Sequence, residues 1–409
     1  MDKIILKELH QKAYQFFQDY TNFNLGSKGY GLTPDHSNRL NVASIAATGF
    51  MLSSLVIGVN QNYLDYEEAK EKTLGTLKTL YFNVPHQFGF FAHFLDIETA
   101  ERYQKCEYST IDTVLALCGI LTVDSFFKDE EITRLTYQII SRINWEEFIF
   151  EKEGKVLFRM AYNPDKDGDY VLGKPGFIHQ WDMFAEQLIK YVMIAGLIDD
   201  KKMALRLYEG FHRRQVEYDE LSFIGSPHNT LFVYHFPLAW LDIKNMIDSH
   251  QISWFENAKQ ATLSHQKSAI MYKDKYKGFS EYLFGCNASD TPKGYRVFGS
   301  IPNVSMQMDT DGTIAPFSMI GALPLIPEII YQSILHMKAI DHLEGQYGFY
   351  DAFNLTSDTP WISSKYISID KGLELLMLDA YLYQNVYQAF MKHPIIIEGL
   401  TTLGFKNKK

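Results

Sequence analysis

The stretch "KCEYSTIDTVLALCGIL" (residues 105–121) places two acids, Glu107 and Asp112, at the mouth of a run that is otherwise apolar. Ser109 followed three residues on by Asp112 reads as a capping box, satisfying free backbone N–H groups at a helix start. The other reading is that the acids face a cavity and do chemistry there. Further acids occur in similar settings. In "FIHQWDMFAEQLIKYV" Asp182 and Glu186 are four apart, a spacing that places both on one face of a helix, with Trp181 beside them. "YISIDKGLELLML" puts Asp370 near another helix start, "YGFYDAFN" sets Asp351 among aromatic rings, and "DTDGTIAP" supplies Asp309 and Asp311. Asp370 also fits an N-cap, Asp311–Gly312 a turn, and Asp182 the positive end of a helix dipole. Glu186 resists such readings. It lies between Phe184 and Leu188, with Lys190 the only cation one turn away. Burial raises a carboxyl pKa, and a raised pKa is what a general acid needs at neutral pH.

Several carboxylates on an aromatic floor suit glycoside hydrolysis: one acid protonates the leaving oxygen while a second activates water or attacks the sugar. Tyr350 and Trp361 lie in aromatic-rich loops, and Arg102, Arg159, Arg296 and Asn354 could bind hydroxyls. Among thirteen scattered histidines, His179 is the best placed, for a substrate hydrogen bond rather than a metal. No HExxH, phosphate-binding GxxxxGK[ST] or G-x-S-x-G occurs. An Asp-rich run of the kind that binds Mg²⁺ with a phosphorylated substrate is also missing. The expectation is therefore no metal and no cofactor.

These acids need a scaffold, and periodicity supplies one. Charged or amphipathic helices are expected at about 3–20, 62–82, 129–144, 200–216, 253–272 and 324–338. They alternate with nearly uniformly apolar ones at about 42–59, 110–127, 180–197, 231–247, 313–323 and 370–391. Six of each in strict alternation suits two concentric rings, the inner one covered on both sides. The expected fold is all-α, an (α/α)6 barrel in one domain over 1–409. Short hairpins, such as "KVLFRM" at 155–160 and "SFIG" at 222–225, would lie in the loops. Long connections lead into the apolar helices and short ones into the charged helices, so the acids should converge on one rim.

Composition limits the partners. A net charge of -10 argues against nucleic acid, whose binding relies on Lys and Arg. Residues 42–59 carry no charge, yet their serines, threonine and glycines favour a buried helix over a membrane span. Three cysteines without a CxxC suggest neither a disulfide framework nor a zinc knuckle. The amphipathic start "MDKIILKELHQKAYQFF" is unlike a signal peptide, which points to the cytoplasm.

Five segments in order carry a resemblance: "FGFFAHFLDIETAERYQKCEYSTIDTVLALCGIL", "IHQWDMFAEQLIKYVMIAG", "DGTIAP", "YGFYDAFN" and "YISIDKG". Together they resemble the motifs of the glycoamylase-like family, which includes the endo-β-1,2-glucanases of glycoside hydrolase family 144. They are similar also to the glycoamylase-like region of cyclic β-1,2-glucan synthases. The resemblance implies an (α/α)6 barrel acting on β-1,2-linked glucan or its oligosaccharides without a metal. It implies Glu186 as general acid, Glu107 and Asp112 at the substrate, and Asp370 or Asp351 as the partner base. Phe91, His93, Arg102, His179, Trp181, Asp182, Asp311, Tyr350, Asn354 and Trp361 complete the expected substrate-binding set. The chain departs from the family pattern at Ala100–Glu101, Lys371, Leu373 and Phe284. The alternatives are a transglycosylase, a hydrolase of another linkage, or a non-catalytic carbohydrate-binding protein.

Overall fold

The computed structural model describes residues 2–166, 174–356 and 359–408. Among these are fourteen α-helices: α1 (Lys3–Tyr20), α2 (Ile45–Asn60), α3 (Tyr66–Phe82), α4 (Thr110–Phe127), α5 (Glu130–Ile140), α6 (Leu188–Leu197), α7 (Lys201–Gly210), α8 (Phe232–His235), α9 (Trp254–Tyr272), α10 (Pro316–Ile320), α11 (Pro327–Lys338), α12 (Ser368–Leu382), α13 (Asn385–Phe390) and α14 (Pro394–Thr402). The molecule is helix-rich, with small antiparallel sheets between the helices. Several helices start where the sequence offers a capping oxygen. Asp2, Ser44, Asp65, Ser109, Asp129, Asp200 and Ser253 each accept a backbone N–H from the first turn of the helix they precede.

The apolar helices α2, α4 and α6 are buried along nearly their whole length, as is α12. They pack in the sequence α10–α12–α2–α4–α6, while α1, α3, α5 and α7 lie against them with polar faces outward. Among the described residues α4 is the one helix long and apolar enough to cross a membrane, yet most of it is covered by protein. The crossing of α2 and α4 is the tightest. A Cβ on Gly49 would fall 2.2 Å from the Leu115 carbonyl oxygen, and one on Gly119 would fall 2.1 Å from that of Gly49. The two backbones therefore touch, which no residue but glycine permits at either place.

Three apolar segments differ from the expected helices. Residues 181–187 are not helical: Trp181 N–H bonds the Phe158 carbonyl at 2.9 Å, and His212 N–H bonds the Asp182 carbonyl at 2.7 Å. Strand-like pairing thus takes the backbone groups a helix would need, and α6 begins only at Leu188. The 231–247 run yields α8 and a 3-10 turn at Phe236–Ala239, because Pro237 has no N–H to continue an α-helix. The 370–391 run breaks at Gln384, whose backbone is left-handed. Asp379 then caps α13 by accepting from Val386 N–H at 3.1 Å and Asn385 Nδ2 at 2.7 Å.

The strands bind the long connections together at the N-terminal ends of the buried helices. Thr33–Pro34, Val42–Ser44 and Phe94–Asp96 form one antiparallel sheet leading into α2. Lys155–Tyr162 pairs with Ile149–Lys152, Tyr108–Ser109 and Phe177–Gln180, joining the approaches to α4 and α6 in one sheet. The strands expected at 155–160 and 222–225 are present as Lys155–Tyr162 and Leu221–Ile224.

Gly49→Ala should cost about 1–3 kcal/mol through overpacking against the α4 backbone. Thermal unfolding should show a lowered Tm, and an unchanged Tm would mean that the helices separate freely.

Candidate active site

A cavity of about 460 Å³ opens where α4 and α12 begin, between the loops that lead into them and into α6. Its wall carries the carboxyls of Asp35, Asp112, Glu186 and Asp370 together with His93, Tyr295 and Lys365. Phe232, Phe236 and Phe317 provide apolar surface. Asp35, Arg39 and Phe94 also wall a more open hollow of about 530 Å³ beside Tyr103.

Asp112 combines both readings of its motif. Its backbone N–H donates to the Ser109 hydroxyl at 3.3 Å, and the same hydroxyl donates to its carboxylate. The carboxylate also faces the cavity, with Oδ1 3.5 Å from His93 Nε2. On the other edge of that imidazole, Nδ1 lies 2.8 Å from Glu107 Oε1, and the ring stacks on Phe94 at 3.8 Å. Burial alone would lower the His93 pKa. Asp112 and Glu107 reverse this and raise it to about 9, so the ring is a cation at neutral pH. Glu107, bonded to His93, is held below the usual glutamate range.

Glu186 lies near the end of the non-helical segment before α6. Burial pushes its pKa up to about 7; its own backbone N–H and Lys190 oppose the rise, and the charge on Asp112 adds to it. Lys190 is fully buried, its Nζ 4.5 Å from the ring centroids of both Phe158 and Trp181. That amine has no hydrogen-bond partner among the described residues. Desolvation pushes it well below the usual lysine range, so it opposes protonation of Glu186 only weakly. A carboxyl that is half protonated near neutrality can give up a proton and take it back.

Asp370 also lines the cavity, from the first turn of α12; it is 4% exposed and lies against the carboxyl of Asp351, 3% exposed. Burial raises both, Asp351 to about 6 and Asp370 well above the usual aspartate range, where the charge on Asp351 adds to the effect. Among the described residues no three His, Cys, Asp or Glu side chains gather as ligands of a metal ion would.

Comparisons with known proteins bear on the family and fold of this chain. The model of the Glycoamylase family, described as "Putative glucoamylase", matches residues 178–394. This chain belongs to the glycoamylase family. The matched span contains Glu186, Asp351 and Asp370, while His93, Glu107 and Asp112 precede it. An exo β-1,2-glucooligosaccharide sophorohydrolase (non-reducing end) of Parabacteroides distasonis is 22% identical, covering 88% of this chain and 53% of its own length. The chain thus spans about half the length of that curated relative. The endo-β-1,2-glucanase of Chitinophaga pinensis, solved with sophorotriose and glucose, superposes with a TM-score of 0.81 at 21% identity, over 99% of this chain and 98% of that one. The β-1,2-glucanase of Parabacteroides distasonis gives 0.82 at 20% identity, over 98% and 60%.

The glycoamylase-family motifs do not all reach the cavity wall. His93, Asp112, Glu186 and Asp370 line it, with Glu107 and Asp351 bonded directly behind. Phe91 is fully buried in the core and is removed from the expected binding set. Asp182 is exposed and accepts from Gln180 at 2.7 Å, so it does not share a helix face with Glu186. Trp181 is buried over Lys190 rather than offered to a ligand. Arg102 pins its own loop through Asp165 at 2.8 Å, Asn163 at 2.9 Å and the Cys106 carbonyl at 2.7 Å. Asn354 donates to the Asp311 carbonyl at 3.1 Å and to the Thr313 hydroxyl at 3.2 Å, ordering the approach to α10. Tyr350 stacks on Tyr366 at 4.7 Å, Trp361 pairs with Asn354 across a two-stranded sheet, and His179 is exposed, all off the cavity wall. Phe284, at a departure from the family pattern, is also fully buried.

Sequence reading missed Asp35, His36, Arg39, Tyr295 and Lys365. The signal available was the polar cluster "DHSNR" at 35–39, placed in a long connection ahead of an apolar helix.

Because the folded-state pKa of His93 lies above its ordinary 6.5, its stabilisation is complete below pH 6.5 and is lost as pH rises through about 9. The Tm of the wild type should therefore fall over that range, and His93→Gln should flatten the fall. Parallel Tm-against-pH curves for the two proteins would refute the charged pairing.

Proposed function

We propose that this chain is a glycoside hydrolase that cleaves β-glucan, with β-1,2-gluco-oligosaccharides as its substrate class. The observation that carries the reading is Glu186: a carboxyl on the wall of an acid-lined cavity, with a pKa of about 7 set by burial. Glu186 donates a proton to the glycosidic oxygen as the bond to the anomeric carbon breaks. The carboxyl pair Asp370–Asp351 serves the other side of the reaction, activating water or attacking the sugar. The cationic His93, fixed between Glu107 and Asp112, and Asp35 hydrogen-bond the sugar hydroxyls, while Phe232, Phe236 and Phe317 pack against the apolar faces of the rings.

The linkage rests on the relatives, whose names specify β-1,2-glucan, and on the agreement of fold over nearly the whole of this chain. The alternation of buried and amphipathic helices supports an (α/α)6 barrel forming one domain over 1–409. Three free cysteines are in keeping with a reducing, cytoplasmic setting.

Two measurements test the proposal. Purified protein incubated with linear β-1,2-glucan and sophoro-oligosaccharides should yield shorter products by chromatography. Cleavage of laminarin- or cellulose-type oligosaccharides alone would overturn the linkage, and no cleavage of any of them would favour a binding protein. Glu186→Gln should lower kcat by about 10²-fold or more at an unaltered Tm. Turnover at the wild-type level would remove Glu186 from the mechanism.

A further inference from the structure

The Asp351–Asp370 contact leads further than its place on the cavity wall. Both carboxyls are almost completely buried, and Asp351 Oδ1 and Asp370 Oδ2 have no N–H or O–H partner among the described residues. Two carboxylates cannot bond each other, so the contact requires a proton on one of them. The surroundings are asymmetric. Asp351 Oδ2 accepts the backbone N–H of Asp290 at 2.7 Å, which favours the charged form at Asp351. Asp290, 5% exposed, is itself fixed by the Ser363 hydroxyl at 2.8 Å and by Lys365 Nζ at 2.9 Å. The backbone closes the arrangement, since Asp351 N–H bonds the Lys365 carbonyl and Ser363 N–H bonds the Ala352 carbonyl. Asp370 lines the cavity; Asp351 does not.

We propose that Asp370 and Asp351 form a proton relay, with Lys365 and the backbone N–H of Asp290 keeping the negative charge on Asp351 and the Asp290 carboxylate holding Lys365 in place. At rest Asp370 carries the proton and donates it to Asp351. When the free oxygen of Asp370 receives a proton from the cavity, the bridging proton passes to Asp351. The pair then goes from one negative charge to none, and Asp370 remains a neutral acid facing the substrate throughout. The inference rests on the proposed function, with Asp370 taking the proton of the attacking water while Glu186 serves the leaving oxygen. The other charged or titratable groups facing the pair are Asp35 from the loop before α2, Tyr295 from the hairpin after Asp290, and Lys371 beside Asp370 on α12. His36 faces Lys365 and Asp290.

The test is the pH profile of kcat/KM on a sophoro-oligosaccharide, whose acidic limb reports protonation of the pair. Lys365→Met removes a positive charge and should move that limb up by about one pH unit; Asp290→Asn removes a negative charge and should move it down by a similar amount. Shifts in the same direction, or lost activity with an unmoved limb, would reduce both residues to structural supports and overturn the proposal. A second measurement does not depend on turnover. Infrared spectra of protein labelled with ¹³C-carboxyl aspartate should show a protonated aspartyl C=O band at pH 7 that is lost in Asp370→Asn and retained in Asp35→Asn. A band surviving in Asp370→Asn, or missing from the wild type, overturns the relay. If the wild type cuts no β-glucan, the proposed function fails, and the infrared result alone then decides whether the pair holds its proton.

Discussion

The backbone contact between α2 and α4 at Gly49 and Gly119 is the constraint on which the rest of the structure depends. With no side chains between them, the two helices approach closely enough to bring Ser44, at the start of one, and Asp112, at the start of the other, onto the same cavity wall. Phe50, one residue after Gly49, then reaches the neighbouring elements. Its ring packs 4.6 Å from Trp240, and it lies so near α12 that a Cβ on Gly372 would fall 2.2 Å away. Gly372 is two residues beyond Asp370, so the same close packing that seats α12 also sets the position of the acid on its first turn.

On that frame the cavity keeps its carboxyls in contrasting protonation states. Glu107, held below the usual glutamate range, and Asp112 flank a cationic His93, an arrangement that neutralises much of the local field. Glu186, acted on by Asp112 and by the desolvated Lys190, is poised near neutrality. Pairs of acids whose environments push their pKa values apart are how one site offers both proton donation and negative charge. A different solution appears immediately after Asp370 in α12. Lys371, where the family pattern differs, is buried and paired with Glu374 at 2.7 Å, and its charge opposes the rise at Asp370. This departure therefore bears on the pair from within the helix.

How far the sequence could be read follows from which forces are local. The buried helices α2 and α4 were legible because a segment apolar on every side has nowhere stable to lie except among other helices. Their starts were legible because Ser44 and Ser109 satisfy N–H groups only a few residues away. The segment before α6 was not. Its composition suits a helix, but hydrogen bonds to Phe158 and His212, remote in sequence, claim its backbone. The glycoamylase-like motifs likewise marked the right stretches without separating the residues that line the cavity from those that brace it, as with Arg102, Trp181 and Asn354.

The sequence by itself therefore determined the inventory: which helices are buried, where α2 and α4 begin, that Glu186 stands in apolar surroundings, and that acids gather near the helix starts. Only the tertiary structure decided which acids meet. The Asp351–Asp370 contact, the bracketing of His93 and the aromatic enclosure of Lys190 all join residues from different segments. Their energetics depend on burial and on charges a few ångströms away, and neither is a property of local sequence.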